Sequence, residues 1–171
     1  MISLIKMDQA YYNANYRQYC IAELAKQCIA NGRWAIEEAF IKAQQEQDKC
    51  LSAGVETKEN YLFKIKRTED NKIIGEIWFG IIKTDGKKQG FLFDIHIVDE
   101  EQNKAYGKET LRMIETEIAK LGYSSIRLHV FRSNKIARSL YKKIGYKEFN
   151  SKGNSIWMEK EIKDSSQNSC I

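Results

Sequence analysis

The sequence predicts an α+β fold: a mixed, mostly antiparallel central sheet flanked by about four helices. Three observations predict it. Apolar residues recur at helical spacing in two early segments, strand-like runs separated by turn residues follow, and beyond residue 100 helical and strand segments alternate. A chain of 171 residues has the length of one domain and buries roughly 70% of its unfolded surface without disulfide or metal staples.

Each element has its own signal. Ile2 to Met7 reads as an opening strand, and Asp8 can cap the helix that follows. Tyr12, Tyr16, Tyr19, Cys20, Leu24 and Cys28 recur at helical spacing up to the Asn31-Gly32 stop. A second helix runs from about Ile36 to Leu51. Tyr61 to Arg67 and Lys72 to Ile82 are strands around the Glu69-Asp70-Asn71 turn, and Asp85-Gly86 is a hairpin turn leading into a strand from Gly90 to Val98. Leu111, Ile114, Ile118 and Leu121 mark a helix ending at Gly122. Ser125 to Phe131 is a strand, and Ile136, Ala137, Leu140, Tyr141 and Ile144 mark a helix ending at Gly145. Lys147 to Phe149 and Ser155 to Ile162 close the fold as a hairpin around Lys152-Gly153-Asn154. The chain has no proline, so helix ends rest on glycine, Asn and Asp. The unit from Gly90 to Phe131 is strand–helix–strand and should cross over right-handedly. Residues 1–163 are expected to form one domain, with 164–171 a disordered polar tail.

Composition narrows the classes. An apolar share of 43% beside 30% charged residues belongs to a soluble globular protein, and 11% aromatic residues argue against disorder. No apolar run approaches the ~20 residues needed to span a bilayer, and Met1 to Lys6 lacks the apolar core of a signal peptide. A cytoplasmic protein with no membrane partner is the expectation. The four cysteines (Cys20, Cys28, Cys50 and Cys170) have no metal-type spacing, so no metal is expected. Cys20 and Cys28 read as small core residues and Cys170 as a free thiol. Charge is uneven. From Gln102 to Lys147 eleven Lys or Arg face three Glu, a net +8, which leaves the rest of the chain at −3. Local positive charge calls for an anionic partner. Nucleic acid is not expected, because the aromatics sit at core spacings rather than interleaved with the basic residues.

Two segments carry chemistry. The turn Gln102-Asn103-Lys104-Ala105-Tyr106-Gly107-Lys108 opens a helix, where unpaired N–H groups and the helix dipole favour an anion. Ala105 and Gly107 let a phosphate approach the backbone, and Lys104 and Lys108 add charge. The second segment runs His129-Val130-Phe131-Arg132-Ser133-Asn134, then Ala137, Arg138, Leu140-Tyr141 and Gly145-Tyr146. Asn134 can cap its helix, and Tyr141, seven residues on, shares its side.

Together the segments resemble the GNAT N-acetyltransferase superfamily. Gln102-x-x-Ala105-x-Gly107 resembles its pyrophosphate-binding pattern, with Ala105 where the family has glycine. Asn134-x-x-Ala137-x-x-Leu140-Tyr141-x-x-x-Gly145-Tyr146 resembles its second signature. Asn31-Gly32-Arg33-Trp34 and Tyr61-Leu62-Phe63 are further similar to small bacterial members. The resemblance implies a GNAT-like sheet, with acetyl-CoA as cosubstrate and a primary amine as acceptor. It places the pyrophosphate on the amides of Gln102 to Lys108. The pantetheine would pair along Asp94, Ile95, His96, Ile97 and Val98, with Asn134, Ala137 and Arg138 against the cofactor. It makes Tyr141 the acid that protonates the departing thiolate.

Such chemistry needs a base, since a primary amine of pKa near 10.4 costs about 4–5 kcal/mol to deprotonate at pH 7. His129 and Asp94 are the candidates. In the similar ribosomal-protein alanine acetyltransferases a Glu base stands at the place of His129. Asp94 could act through water, and His96, on the same strand face, is a weaker third. Each has a plain alternative: a core histidine bonded to backbone, or a strand-edge carboxylate without a role. A non-catalytic acyl-CoA-binding module on the same fold is the rival reading. The acceptor pocket should draw on the two N-terminal helices around Tyr16, Glu23 and Trp34 and on the closing hairpin. The acceptor's identity and a homodimer are left open.

Overall fold

The computed structural model describes residues 1–162, so the polar tail and Cys170 lie outside the described residues. Seven strands form one sheet: β1 (Ile2–Lys6), β2 (Asn60–Arg67), β3 (Ile73–Thr84), β4 (Lys87–Ile97), β5 (Ser125–Phe131), β6 (Lys147–Lys152) and β7 (Ser155–Glu161). Their order is β1-β2-β3-β4-β5-β7-β6, antiparallel throughout except where β4 meets β5. That parallel pair follows from the expected strand–helix–strand unit, whose helix is α4 (Tyr106–Lys120).

The first helix departs from its expected form. Asp8 caps it, its carboxylate accepting from the Tyr11 N–H at 2.8 Å. The helix is α-helical over Gln9–Tyr11 (α1), widens to a π turn over Tyr12–Tyr16, and resumes as α2 (Arg17–Ala30). The N–H of Arg17 reaches back to the Tyr12 carbonyl, five residues away. Side-chain partners show what this spacing serves. The Tyr11 hydroxyl donates to Glu76 at 2.6 Å, the Tyr16 hydroxyl donates to Asp94 at 2.7 Å, and the Tyr12 hydroxyl accepts from Gln47 at 3.4 Å. Apolar periodicity cannot register a turn set by partners more than thirty residues away. α3 (Ile36–Cys50) and α5 (Lys135–Lys143) lie where the spacing puts them.

Alternation along the strands divides the core between two faces. On one, Leu111, Ile114 and Ile118 of α4 are fully buried with Ile65, Ile77, Phe79, Leu128 and Met158. Burial of this kind is worth about 1.5–3 kcal/mol for each large aliphatic side chain. Gly90 permits the close approach of α4, because a Cβ there would meet Ile118 Cδ1 at 2.7 Å. On the other face Tyr12, Tyr16 and Cys20 pack on Leu62 and Trp78. Ile21 and Ala25 of α2 meet Ala39 and Ala43 of α3. Cys20 and Cys28 are buried free thiols, as expected of small core residues. Among the described residues no helix is long and apolar enough to cross a membrane.

Candidate active site

β4 and β5 do not stay together. They pair only from Gly90 to Leu92, opposite Ile126 to Leu128, and beyond Leu92 the edge of β4 that faced β5 has no strand partner among the described residues. At that point β4 also carries a bulge. Trp78 of β3 pairs with Asp94 while Phe79 pairs with Leu92, which leaves Phe93 as the extra residue. A bulge re-aims the side chains beside it. Leu92 stays in the α4 core, whereas Phe93 stacks on Trp78 with ring centres 4.4 Å apart on the opposite face. The parted strands open a cavity of about 750 Å³, bounded by β4, the start of α4, β5 and α5.

One end of the cavity is the turn into α4. Asn103 and Ala105 both adopt left-handed backbone, with φ of +61° and +65°. Ala105 is the residue before the helix, and among the described residues no side chain caps that end. The amides of Glu101 and Gln102 are taken by the carbonyls of Val98 and Asp99, but those of Asn103 to Lys108 have no acceptor among the described residues. Six N–H groups at a helix start with a residue in αL form an anion cradle. The expected role of the Gln102 amide is thus corrected. Its N–H serves the turn, and its side chain donates to Ile97 O and Asp99, tying the turn to β4. Lys104 is corrected too. Its ammonium sits 3.1 Å from buried Glu101 and lies outside the cavity. The cationic side chains that do line it are Lys108, Lys135 and Lys143. The last two entered the sequence reading only as part of a net charge.

The other end brings Asp94, His129 and Tyr141 to one space. Asp94 accepts from the Tyr16 hydroxyl through Oδ2, and burial, joined by the Glu76 and Glu23 charges, raises its carboxyl to about 6 against the Tyr16 bond that lowers it. Tyr141 is 6% exposed, and its hydroxyl has no hydrogen-bond partner among the described residues. Burial, then the nearby Asp94 charge, pushes its pKa above the ordinary tyrosine value, so the O–H is intact at neutral pH. His129 alternates with core residues Leu128 and Val130 and so faces the side of the sheet that carries Asp94. It packs edge-on to Phe131 and has no hydrogen bond among the described residues. Burial, and then the Arg33 charge, lowers its pKa.

Besides Lys104, three more cofactor-side residues of the sequence reading fall outside the cavity. His96 turns to Glu76, 2.8 Å away, and stacks on Tyr19 at 4.1 Å. Burial works to lower its pKa, but Glu76 leads the neighbouring carboxylates in raising it. Val98 joins the α4 core, its N–H on Ile74 O. Arg138 donates to the Arg132 carbonyl at 2.9 Å. Ile95, Ile97, Asn134 and Ala137 do line the cavity, and Asn134 also caps α5, accepting from the Ala137 N–H at 3.1 Å. Phe93 and Gln27 were missed. No sequence signal marks a bulge without glycine, and Gln27 reads as a solvated helix position.

The profile of the acetyltransferase (GNAT) family matches residues 31–146. The uncharacterised N-acetyltransferase YycN of Bacillus subtilis is 27% identical over 134 residues, which are 78% of this chain and 85% of YycN. Its crystal structure superposes with a TM-score of 0.82 at 26% identity, covering 89% of this chain and 96% of that one. Spermidine N(1)-acetyltransferase of Thermoplasma acidophilum is 28% identical over 125 residues, 72% of this chain and 75% of the relative. The Thermoplasma acidophilum PaiA N-acetyltransferase, crystallised with coenzyme A, shares the fold with a TM-score of 0.70 at 23% identity, over 94% of this chain and 99% of that one.

Proposed function

This chain belongs to the GNAT acetyltransferase family, and from that premise we propose that it moves an acetyl group from acetyl-CoA to a primary amine by direct attack in a ternary complex. The parting of β4 and β5 carries the proposal. It leaves a free strand edge with an amide cradle at one end and, at the other, a tyrosine hydroxyl without a partner among the described residues, in the same space as a half-buried carboxylate.

The pantetheine arm adds to the free edge of β4 as a strand would. The pyrophosphate lies on the amides of Asn103 to Lys108, and Lys108, Lys135 and Lys143 face its charge. Asp94 takes the first proton from the acceptor ammonium; a carboxyl held near 6 is a stronger base than an ordinary aspartate. The amine attacks the thioester carbon, and N–H groups of the β4 edge hold the oxyanion. The C–N bond forms and the C–S bond breaks. One amine proton leaves with the CoA thiol by way of Tyr141, and the other leaves to solvent by way of Asp94. Asp94 is preferred to His129 as base because burial and then the Arg33 charge oppose protonation of His129, whose ring has no hydrogen-bond partner among the described residues to hold the imidazolium. A tyrosine hydroxyl without a partner among the described residues, beside Asp94 at that end of the cavity, favours turnover over mere acyl-CoA binding.

Two measurements test this. Acetyl-CoA should raise the melting temperature, a stabilisation of about 2.7 kcal/mol at a hundredfold excess over Kd; no shift at millimolar acetyl-CoA or CoA overturns it. A panel of amines (spermidine, amino sugars, aminoglycosides, lysine and N-terminal peptides) followed by release of free CoA then finds the acceptor. Spermidine leads the panel because a relative acts on it.

A further inference from the structure

Two irregularities of the backbone meet at one hydrogen bond. The π turn at Tyr12–Tyr16 lies in the first helix, and the bulge at Phe93 lies in β4. π turns are rare and cluster at functional sites, and bulges re-aim side chains beside active sites. Here the π turn ends on Tyr16 and the bulge precedes Asp94, and the Tyr16 hydroxyl donates to Asp94 Oδ2 at 2.7 Å. Tyr16 is 1% exposed, so packing fixes the donor. The second oxygen of Asp94 has no hydrogen-bond partner among the described residues, and Asp94 lines the cavity.

We propose that Tyr16 is a positioning residue for acetyl transfer: its hydroxyl grips one carboxylate oxygen of Asp94 and leaves the other to take the proton of the acceptor amine. This rests on the base role given to Asp94 above. The surroundings show why a grip is needed. Asp94 is faced by Tyr19, Glu23 and Cys20 from α2, Glu76 from β3, His96 from β4 and Tyr141 from α5. Glu23 and Glu76 repel its ionised form, His96 attracts it, and of these groups only Tyr16 donates it a hydrogen bond. Burial pushes the Tyr16 phenol well above the ordinary tyrosine value, so at neutral pH it stays a donor. Without it, the carboxylate would be free to rotate and would ionise at higher pH.

The test is Tyr16→Phe, which keeps the ring. Asp94 is titrated by its side-chain carboxyl ¹³C resonance, which needs no acceptor, and kcat/KM is followed against pH with the panel amine of highest turnover. The midpoint of Asp94 should rise by about one unit, the order expected for one lost hydrogen bond to a charge. The acidic limb of kcat/KM should move up with it, and activity should recover at higher pH. A midpoint that stays put, or a loss of activity equal at all pH values, overturns the proposal. Asp94→Asn separates the two readings. If it leaves the limb in place, the base role fails and the proposal with it; if it removes the limb while Tyr16→Phe does not move it, only the role of Tyr16 fails. Should Tyr16→Phe not fold, 3-fluorotyrosine at position 16 keeps the packing and strengthens the donor, and the midpoint must then fall.

Discussion

The site has two halves made in different ways: the cavity itself, built on β4, α4, β5 and α5, and, behind it, the first helix that holds Asp94. The first half works through its backbone: an unpaired strand edge past Leu92 and the free amides of Asn103 to Lys108. The second works through side chains hung on irregular backbone, with Tyr11 on Glu76, Tyr16 on Asp94 and Tyr19 on His96. A cofactor common to a family can be held by backbone, which tolerates sequence change. A proton-transfer residue must be aimed, and aiming is done one side chain at a time. Substitutions at the chemical end should therefore change rates, and those at the amide cradle should change binding and stability by much less.

Tyr141→Phe is the largest expected effect. If the hydroxyl protonates the thiolate, kcat falls by about 10²–10⁴-fold while acetyl-CoA binding is nearly unchanged. The unpartnered hydroxyl leaves no protein hydrogen bond to lose, so the melting temperature should hardly move. Steady-state kinetics and calorimetric titration with CoA check both halves of the statement, and full activity would make Tyr141 a core residue only.

Asp94→Asn comes next, with kcat/KM down roughly 10²-fold and the acidic limb lost. It should also make the protein more stable. A carboxyl held near 6 in the fold, against an ordinary 3.8, binds its proton more tightly when native. Its contribution to stability is therefore greatest below about pH 3.8, falls as pH rises to about 6, and is unfavourable above. The amide carries no charge to bury and can still accept from Tyr16, so Asn should gain about 1–2 kcal/mol at pH 7, read as a higher urea midpoint. His129→Ala, across the same cavity, should cost less than tenfold and leave the limb in place.

These contrasts match what could be read in the sequence. The seven strands and the helices of the chain were legible because their apolar periods and glycine stops are local. The start of α4 was legible as a place for an anion because Ala105 and Gly107 are small residues at a helix start, in a segment that resembles the family's pattern. The π turn was not, since Tyr12 and Tyr16 are four apart and fit an ordinary helix equally well. Nor was the turning of His96 to Glu76, because alternation gives a face and not a partner. Lys104 was misplaced for the same reason: its partner, Glu101, also pairs with Arg67, which lies more than thirty residues earlier.

The smallest expected effect tests the cradle itself. Ala105 holds a φ of +65°, which costs a residue with a Cβ about 1–2 kcal/mol. Glycine removes that cost but adds freedom to the unfolded chain, worth roughly 0.5–1 kcal/mol. Ala105→Gly should therefore gain up to about 1 kcal/mol, read as a small rise in the urea midpoint at unchanged m-value. The amides of Asn103 to Lys108 keep their directions in either case, so CoA affinity should stay the same or improve by a few-fold as the Cβ is withdrawn from the phosphates. Ala105→Val sharpens the point, because a β-branched residue resists this φ and should both loosen the turn and weaken CoA binding. A large loss of CoA affinity in a folded Ala105→Gly would place the pyrophosphate elsewhere. The free amides at the start of α4 would then be an ordinary exposed helix end.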